Sequence, residues 1–172
     1  VALNIASIVF MLPLAIGLAA STRVGNLLGE KRYLDARYSS KVSLSLCFIG
    51  ALFNMTLLIT LGDKLISLYT KDLLVYSVAS HLIIFAAIFQ IPDGIGMGSL
   101  GALRGYKDTF MTMVFIIIAY WVFAIPFGYY LTYYGINQPM GESGMWISMI
   151  LGLTIFASLI SRRLIKISGQ YL

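Results

Sequence analysis

With one cysteine and one histidine in 172 residues, whole classes of chemistry drop out. A lone thiol builds no disulfide framework, and Cys47 with His81 supplies too few ligands for a zinc site. The sequence contains no GxSxG, HExxH, P-loop lysine motif or CxxC, so neither an enzyme nor a cofactor is expected. Charge is scarce as well. Only 11% of residues are charged, against about a quarter in globular chains, whose surfaces must face water. A chain that is 59% hydrophobic lacks the polar surface of a soluble domain and is expected to face a lipid bilayer. The net charge of +5 does not indicate a nucleic-acid partner. The cations sit in short loops between long apolar runs, as in membrane topology, and form no groove-binding face.

What remains is long hydrophobic runs. About 20 apolar residues cross about 30 Å of hydrocarbon, and five stretches qualify, at 1–28, 39–61, 73–103, 109–134 and 144–167. The third is longer than a span needs, which predicts a bend at Pro92 or a tilt. Between the second and third, LISLYT within Asp63–Asp72 predicts a short interfacial helix. Ten of the twelve basic residues fall in the first loop and its flanks, the third loop and the tail; only Lys64 and Lys71 lie elsewhere. The fourth loop, GINQPMGESG, has none. The positive-inside rule then makes the C-terminus cytoplasmic. Tyr129, Tyr130, Tyr133 and Tyr134 are read as an aromatic belt at the outer surface. Because the chain opens at Val1 on an apolar run with no basic flank, it is expected to be a stretch of a longer membrane protein.

Six of the seven acidic residues lie in polar segments, and the seventh, Asp93, lies in the apolar run from His81 to Asp108, HLIIFAAIFQIPDGIGMGSLGALRGYKD. A carboxylate at mid-bilayer depth costs about 2.5–3.5 kcal/mol on insertion scales, so such a residue usually faces a cavity, an ion path or a partner. Pro92 before it and Gly94, Gly96 and Gly98 after it predict a weakened helix at that depth. An isolated acid on a broken span suggests ion or proton coupling.

Residues four apart share a helix face. Phe85, Phe89, Asp93 and Met97 thus form one ridge, with Gln90 one turn before Asp93. Two rings, a thioether, an amide and a carboxylate suit a bulky lipophilic cation. The same side chains also serve as packing against neighbours or lipid. Asn4, Asn54 and Gln90 are expected to hydrogen-bond between helices. Cys47 reads as inert packing and His81 as interfacial. Gly94, Gly98 and Ala102, like Gly25 and Gly29, have the spacing of close helix approach.

Four ordered segments, PLAIGLAASTRVGNLLGE (Pro13–Glu30), ALRGYKD (Ala102–Asp108), YWVFAIPFGYYL (Tyr120–Leu131) and QPMGESGMWISMILGL (Gln138–Leu153), resemble the second half of MATE-family multidrug exporters of the NorM-like branch. The resemblance runs over essentially the whole chain. It implies an all-α polytopic membrane protein that matches helices eight to twelve of a twelve-helix, two-lobe transporter, an incomplete C-terminal lobe whose partners are the N-terminal lobe and the first helix of its own lobe. It implies export of cationic lipophilic drugs and dyes in exchange for Na⁺ or H⁺. Asp93 matches the acidic residue on the tenth helix that such members use for cation coupling. Phe89 stands where close relatives carry a tyrosine, leaving only ring contact with a cation there.

Two rival readings carry different expectations. A lipid-linked oligosaccharide flippase of the same superfamily handles anionic headgroups and calls for Arg and Lys lining the cavity, whereas here no basic residue lies well inside a span. A scaffold subunit without substrate leaves the Asp93 segment unexplained except as a helix-pairing acid.

Overall fold

The computed structural model describes residues 1–135 and 138–170. Five helices, each long and apolar enough to cross a membrane, account for nearly all of them: α1 (Ala2–Gly29), α2 (Tyr33–Tyr69), α3 (Leu73–Gly105), α4 (Thr109–Tyr133) and α5 (Glu142–Gln170). There is no strand among the described residues. Ile136 and Asn137, part of the expected fourth loop, lie outside them. The chain is an all-α integral membrane protein. α3 is the central helix, packed against α1, α2 and α5.

Tight turns make this arrangement possible. α1 and α3 end the same way, with a lysine in the left-handed region at φ 61° (Lys31 and Lys107). At the first turn the Arg32 amide donates to the Leu27 carbonyl and the Lys31 amide to Leu28. At the second, the Asp108 amide donates to Leu103 and the Lys107 amide to Arg104. Both are Schellman caps, built on a residue that normally yields this position to glycine. α3 starts on Asp72, whose carboxylate accepts from the Leu74 amide at 2.9 Å. That is the role of an N-cap aspartate.

The two ends of the bundle differ. At one end Arg163 of α5 pairs with Asp108 of the α3–α4 turn at 2.6 Å, and the same end carries the α1–α2 turn. At the other, the Ser80 hydroxyl donates to Asp63 at 2.8 Å and His81 reaches Ser143 at 3.4 Å. Tyr129, Tyr130, Tyr133 and Tyr134 are exposed toward that second end, paired on their own helix as Tyr129 with Tyr133 and Tyr130 with Tyr134.

Two expectations need correction, and one feature was not anticipated. LISLYT is no separate helix: α2 runs through it to Tyr69, a rod of roughly 55 Å that outruns the hydrocarbon at both ends. Gly62 and Asp63 look like a turn signal, but Gly62 lets the Ile83 side chain of α3 approach, and Ile66 is fully buried against α3. Packing overrides the local signal. Likewise α3 is unbroken at Pro92. The glycines after it seat neighbours: a Cβ on Gly94 would lie 2.8 Å from the Cys47 carbonyl, and one on Gly98 3.1 Å from Leu44 Cα. Cys47 itself is buried against these glycines. Finally, α4 is not a plain α-helix, because Ile117–Ala124 winds as a π-helix. Pro126 follows directly; its ring collides with a preceding carbonyl in a regular α-helix, and wider winding relieves that clash. The Ser148 hydroxyl of α5 donates to the Ala124 carbonyl at the end of the π segment.

Candidate functional site

The ridge read from the sequence continues further than expected. Phe85, Phe89, Asp93, Met97, Gly101 and Gly105 all stand four apart on α3, and the last three meet α1. Gly101 lies against the backbone of Gly17, the Met97 carbonyl is 3.0 Å from where a Gly17 Cβ would stand, and Gly105 abuts Ser21 and Val24. With no side chains between them, the two backbones converge at this end. Toward the other end the helices part, and a cleft of about 220 Å³ opens between Leu3, Ala6, Ser7 and Phe10 of α1 and Phe89 and Asp93 of α3. α1 and α3 therefore form a wedge, closed at Gly17 and Gly101 and open at Phe10 and Asp93.

Asp93 sits in the open part. It lies roughly 18 Å along α3 from Gly105, which is close to mid-depth of about 30 Å of hydrocarbon. It is half-buried, and among the described residues its carboxylate has no ion-pair or hydrogen-bond partner. The Tyr120 phenol, carried by the π segment of α4, lies within electrostatic range of it. An acid this deep without a fixed counter-charge has an unfilled demand for a cation or a proton.

The other sequence candidates divide. Phe89 lines the cleft and its ring packs edge-on against Trp146 of α5, centroids 6.2 Å apart. Phe85 lies outside the cleft, edge-on to His81 at 5.6 Å. Met97 is taken up in the close contact with Gly17 and the adjoining core. Gln90 faces away: it is 1% exposed and takes a hydrogen bond at 3.5 Å from Asn54 on α2. One turn of α3 separates Gln90 from Asp93 in sequence, but positions three apart diverge in angle, and this divergence sends the amide to α2. The Asn54 amide also donates to the Val9 carbonyl of α1 at 2.7 Å, an interhelical role of the kind expected for it. Asn4 instead is exposed. Gly25 meets Gly105 only in ordinary contact, and Gly29 meets nothing within 4 Å.

Ser7, Phe10 and Tyr120 were not read as site residues. Phe10 and Ser7 sit in an apolar run with no local mark. Tyr120 had one: Pro126 in the middle of a span signals distorted winding nearby, and distorted winding is frequent at functional sites.

Comparison with known proteins agrees with the fold. A crystal structure of a eukaryotic MATE transporter, AtDTX14, superimposes with a TM-score of 0.85 at 22% identity, covering 99% of this chain and 38% of that one. The multidrug resistance protein NorM of Vibrio vulnificus is 43% identical over 165 residues, 95% of this chain and 36% of its own. The multidrug resistance protein MdtK of Proteus mirabilis is 40% identical, over 99% of this chain and 37% of its own. The chain thus spans little more than a third of the length of these relatives. The MatE family model matches residues 1–130, and the chain belongs to the MATE family, on its NorM-like branch.

Proposed function

We propose that these five helices serve a cation-coupled multidrug antiporter, as its C-terminal lobe less one helix, with Asp93 as the coupling acid. One observation carries the reading: a mid-depth carboxylate in a cleft between aromatic rings, with no basic partner among the described residues. Such a carboxylate takes a proton, a Na⁺ ion or an organic cation, and one occupant opposes the others. Competition at a site open alternately to each side converts an inward cation gradient into outward movement of the substrate. The relatives' names as multidrug resistance proteins support the substrate class.

The size of the cleft limits what these helices do alone. At about 220 Å³ it is smaller than the 300–1,000 Å³ of a typical drug-sized site. It accommodates a cation and one edge of a substrate against Phe89 and Phe10. In this proposal the rest of the cavity comes from the remainder of a two-lobe transporter. Phe85, Gln90 and Met97 then support the walls and do not touch the substrate. The grouping of basic residues at one end of the bundle supports a cytoplasmic location for that end and the C-terminus, with the helices in a bacterial inner membrane. No basic side chain lines the cleft, which disfavours the flippase reading.

The test is ethidium efflux from cells expressing the full-length parent, with Na⁺ and H⁺ gradients collapsed separately. Antiport predicts that collapse of one gradient stops efflux and identifies the ion. Efflux indifferent to both gradients contradicts it.

A further inference from the structure

Pro13 lies on α1 between Phe10 in the open part of the wedge and Gly17 in the closed part. It has no N–H, so the carbonyl four residues earlier, that of Val9, is left without its intrahelical donor. In a membrane-buried helix such a carbonyl needs another partner. It has one: the Asn54 amide of α2 donates to it at 2.7 Å. Asn54 is 2% exposed, so water does not compete. The same amide reaches the Gln90 side-chain oxygen of α3 at 3.5 Å. One asparagine thus joins α1 at its proline defect to α3 one turn from Asp93.

Gln90 is buried, and its Nε2 has no partner among the described residues, an arrangement that is unfavourable in a structure optimised only for stability. The cleft wall formed by Ala6, Ser7 and Phe10 is the segment of α1 that the Val9 carbonyl anchors. We infer that Asn54 is a positioning residue of the cleft: by capping the carbonyl that Pro13 frees and tying it to Gln90, it fixes the aperture between α1 and α3 at Asp93. Asn54 is not among the residues that line the cleft, and its hydrogen bonds go to Val9 and Gln90, so its effect on any occupant passes through α1. Its consequence for cation coupling rests on the proposed function, whereas its control of the aperture does not.

Removing the proline tests this directly. Pro13→Ala restores an N–H to the Val9 carbonyl and makes the Asn54 donor redundant. In the full-length parent with Ser7→Cys as reporter, maleimide labelling reads the aperture. Asn54→Leu is expected to change the labelling rate about fivefold or more, as befits loss of a buried hydrogen bond. In the Pro13→Ala background the same substitution is expected to change it less than about twofold. If Asn54→Leu alone does not fold, Pro13→Ala is expected to restore folding. Equal effects of Asn54→Leu in both backgrounds, or failure of both to fold, would overturn the inference. The labelling readout also separates the two proposals: an aperture change without any cation exchange would refute coupling and leave the positioning role standing.

Discussion

Gly101 of α3 rests on the backbone of Gly17 of α1, leaving no room for a Cβ at position 101. This contact closes one end of the wedge whose other end holds Asp93. Its partner atom is a backbone carbonyl, which cannot rotate aside, so even alanine forces the helices apart. Gly101→Ala is expected to destabilise the full-length parent by about 1–3 kcal/mol, the range of overpacking, and Gly101→Leu to abolish folding. Gly29, which meets nothing within 4 Å, provides the control: Gly29→Ala is expected to be neutral or stabilising by up to about 1 kcal/mol. Thermal unfolding in detergent, read by size-exclusion chromatography, distinguishes the two positions. Equal tolerance at both contradicts the close approach.

The turns predict a gain instead of a loss. Lys107 holds φ 61°, a left-handed conformation in which a Cβ costs roughly 1–2 kcal/mol. Lys107→Gly relieves that strain at the expense of unfolded-chain entropy, so a net stabilisation of about 1 kcal/mol is expected. The same change at Lys31, also at φ 61°, is expected to act alike and independently. A fall in melting temperature for both would show that the lysine side chains do more than end a helix.

The π segment offers a third test. Ser148 of α5 donates to the Ala124 carbonyl, and a Cβ on Gly152, one turn on, would lie 2.9 Å from the Ala119 carbonyl. α5 is therefore seated on the π segment through a hydroxyl and a bare backbone. Ser148→Ala is expected to cost about 1 kcal/mol in stability; Gly152→Leu is expected to cost more and to displace Tyr120 from Asp93. The ¹⁹F resonance of a fluorotyrosine placed at position 120 alone reads that displacement. An unchanged signal with Gly152→Leu would dissociate the π segment from the site.

Five spans, their order and the place of Asp93 within one of them were legible in the sequence, because long apolar runs and one misplaced charge are local signals. The ridge from Phe85 to Met97 was legible for the same reason, since period alone puts those residues on one face. What was not legible depends on neighbours. Whether Gly62 and Asp63 end a helix is decided by Ile83 and Ile66 packing across α2 and α3. Whether Pro92 breaks α3 is decided by Cys47 and Leu44 pressing on the glycines after it. Gln90 left the expected site because Asn54 waits for it on α2, and Asn54 is held there by a proline on a third helix. Phe10 and Ser7 joined the site because α1 diverges from α3 just where Asp93 lies. In each case a side chain distant in sequence settles a conformation that local pattern leaves open.

The central claim is that cation and substrate compete for Asp93. The most direct measurement is cation release from the purified full-length parent on adding ethidium, followed with a pH or Na⁺ indicator in weak buffer, for wild type and Asp93→Asn. The account predicts release of one cation species by the wild type, with a stoichiometry that falls in Asp93→Asn while the protein stays folded. Release unchanged by Asp93→Asn, or ethidium binding by the wild type with no cation released, would contradict it.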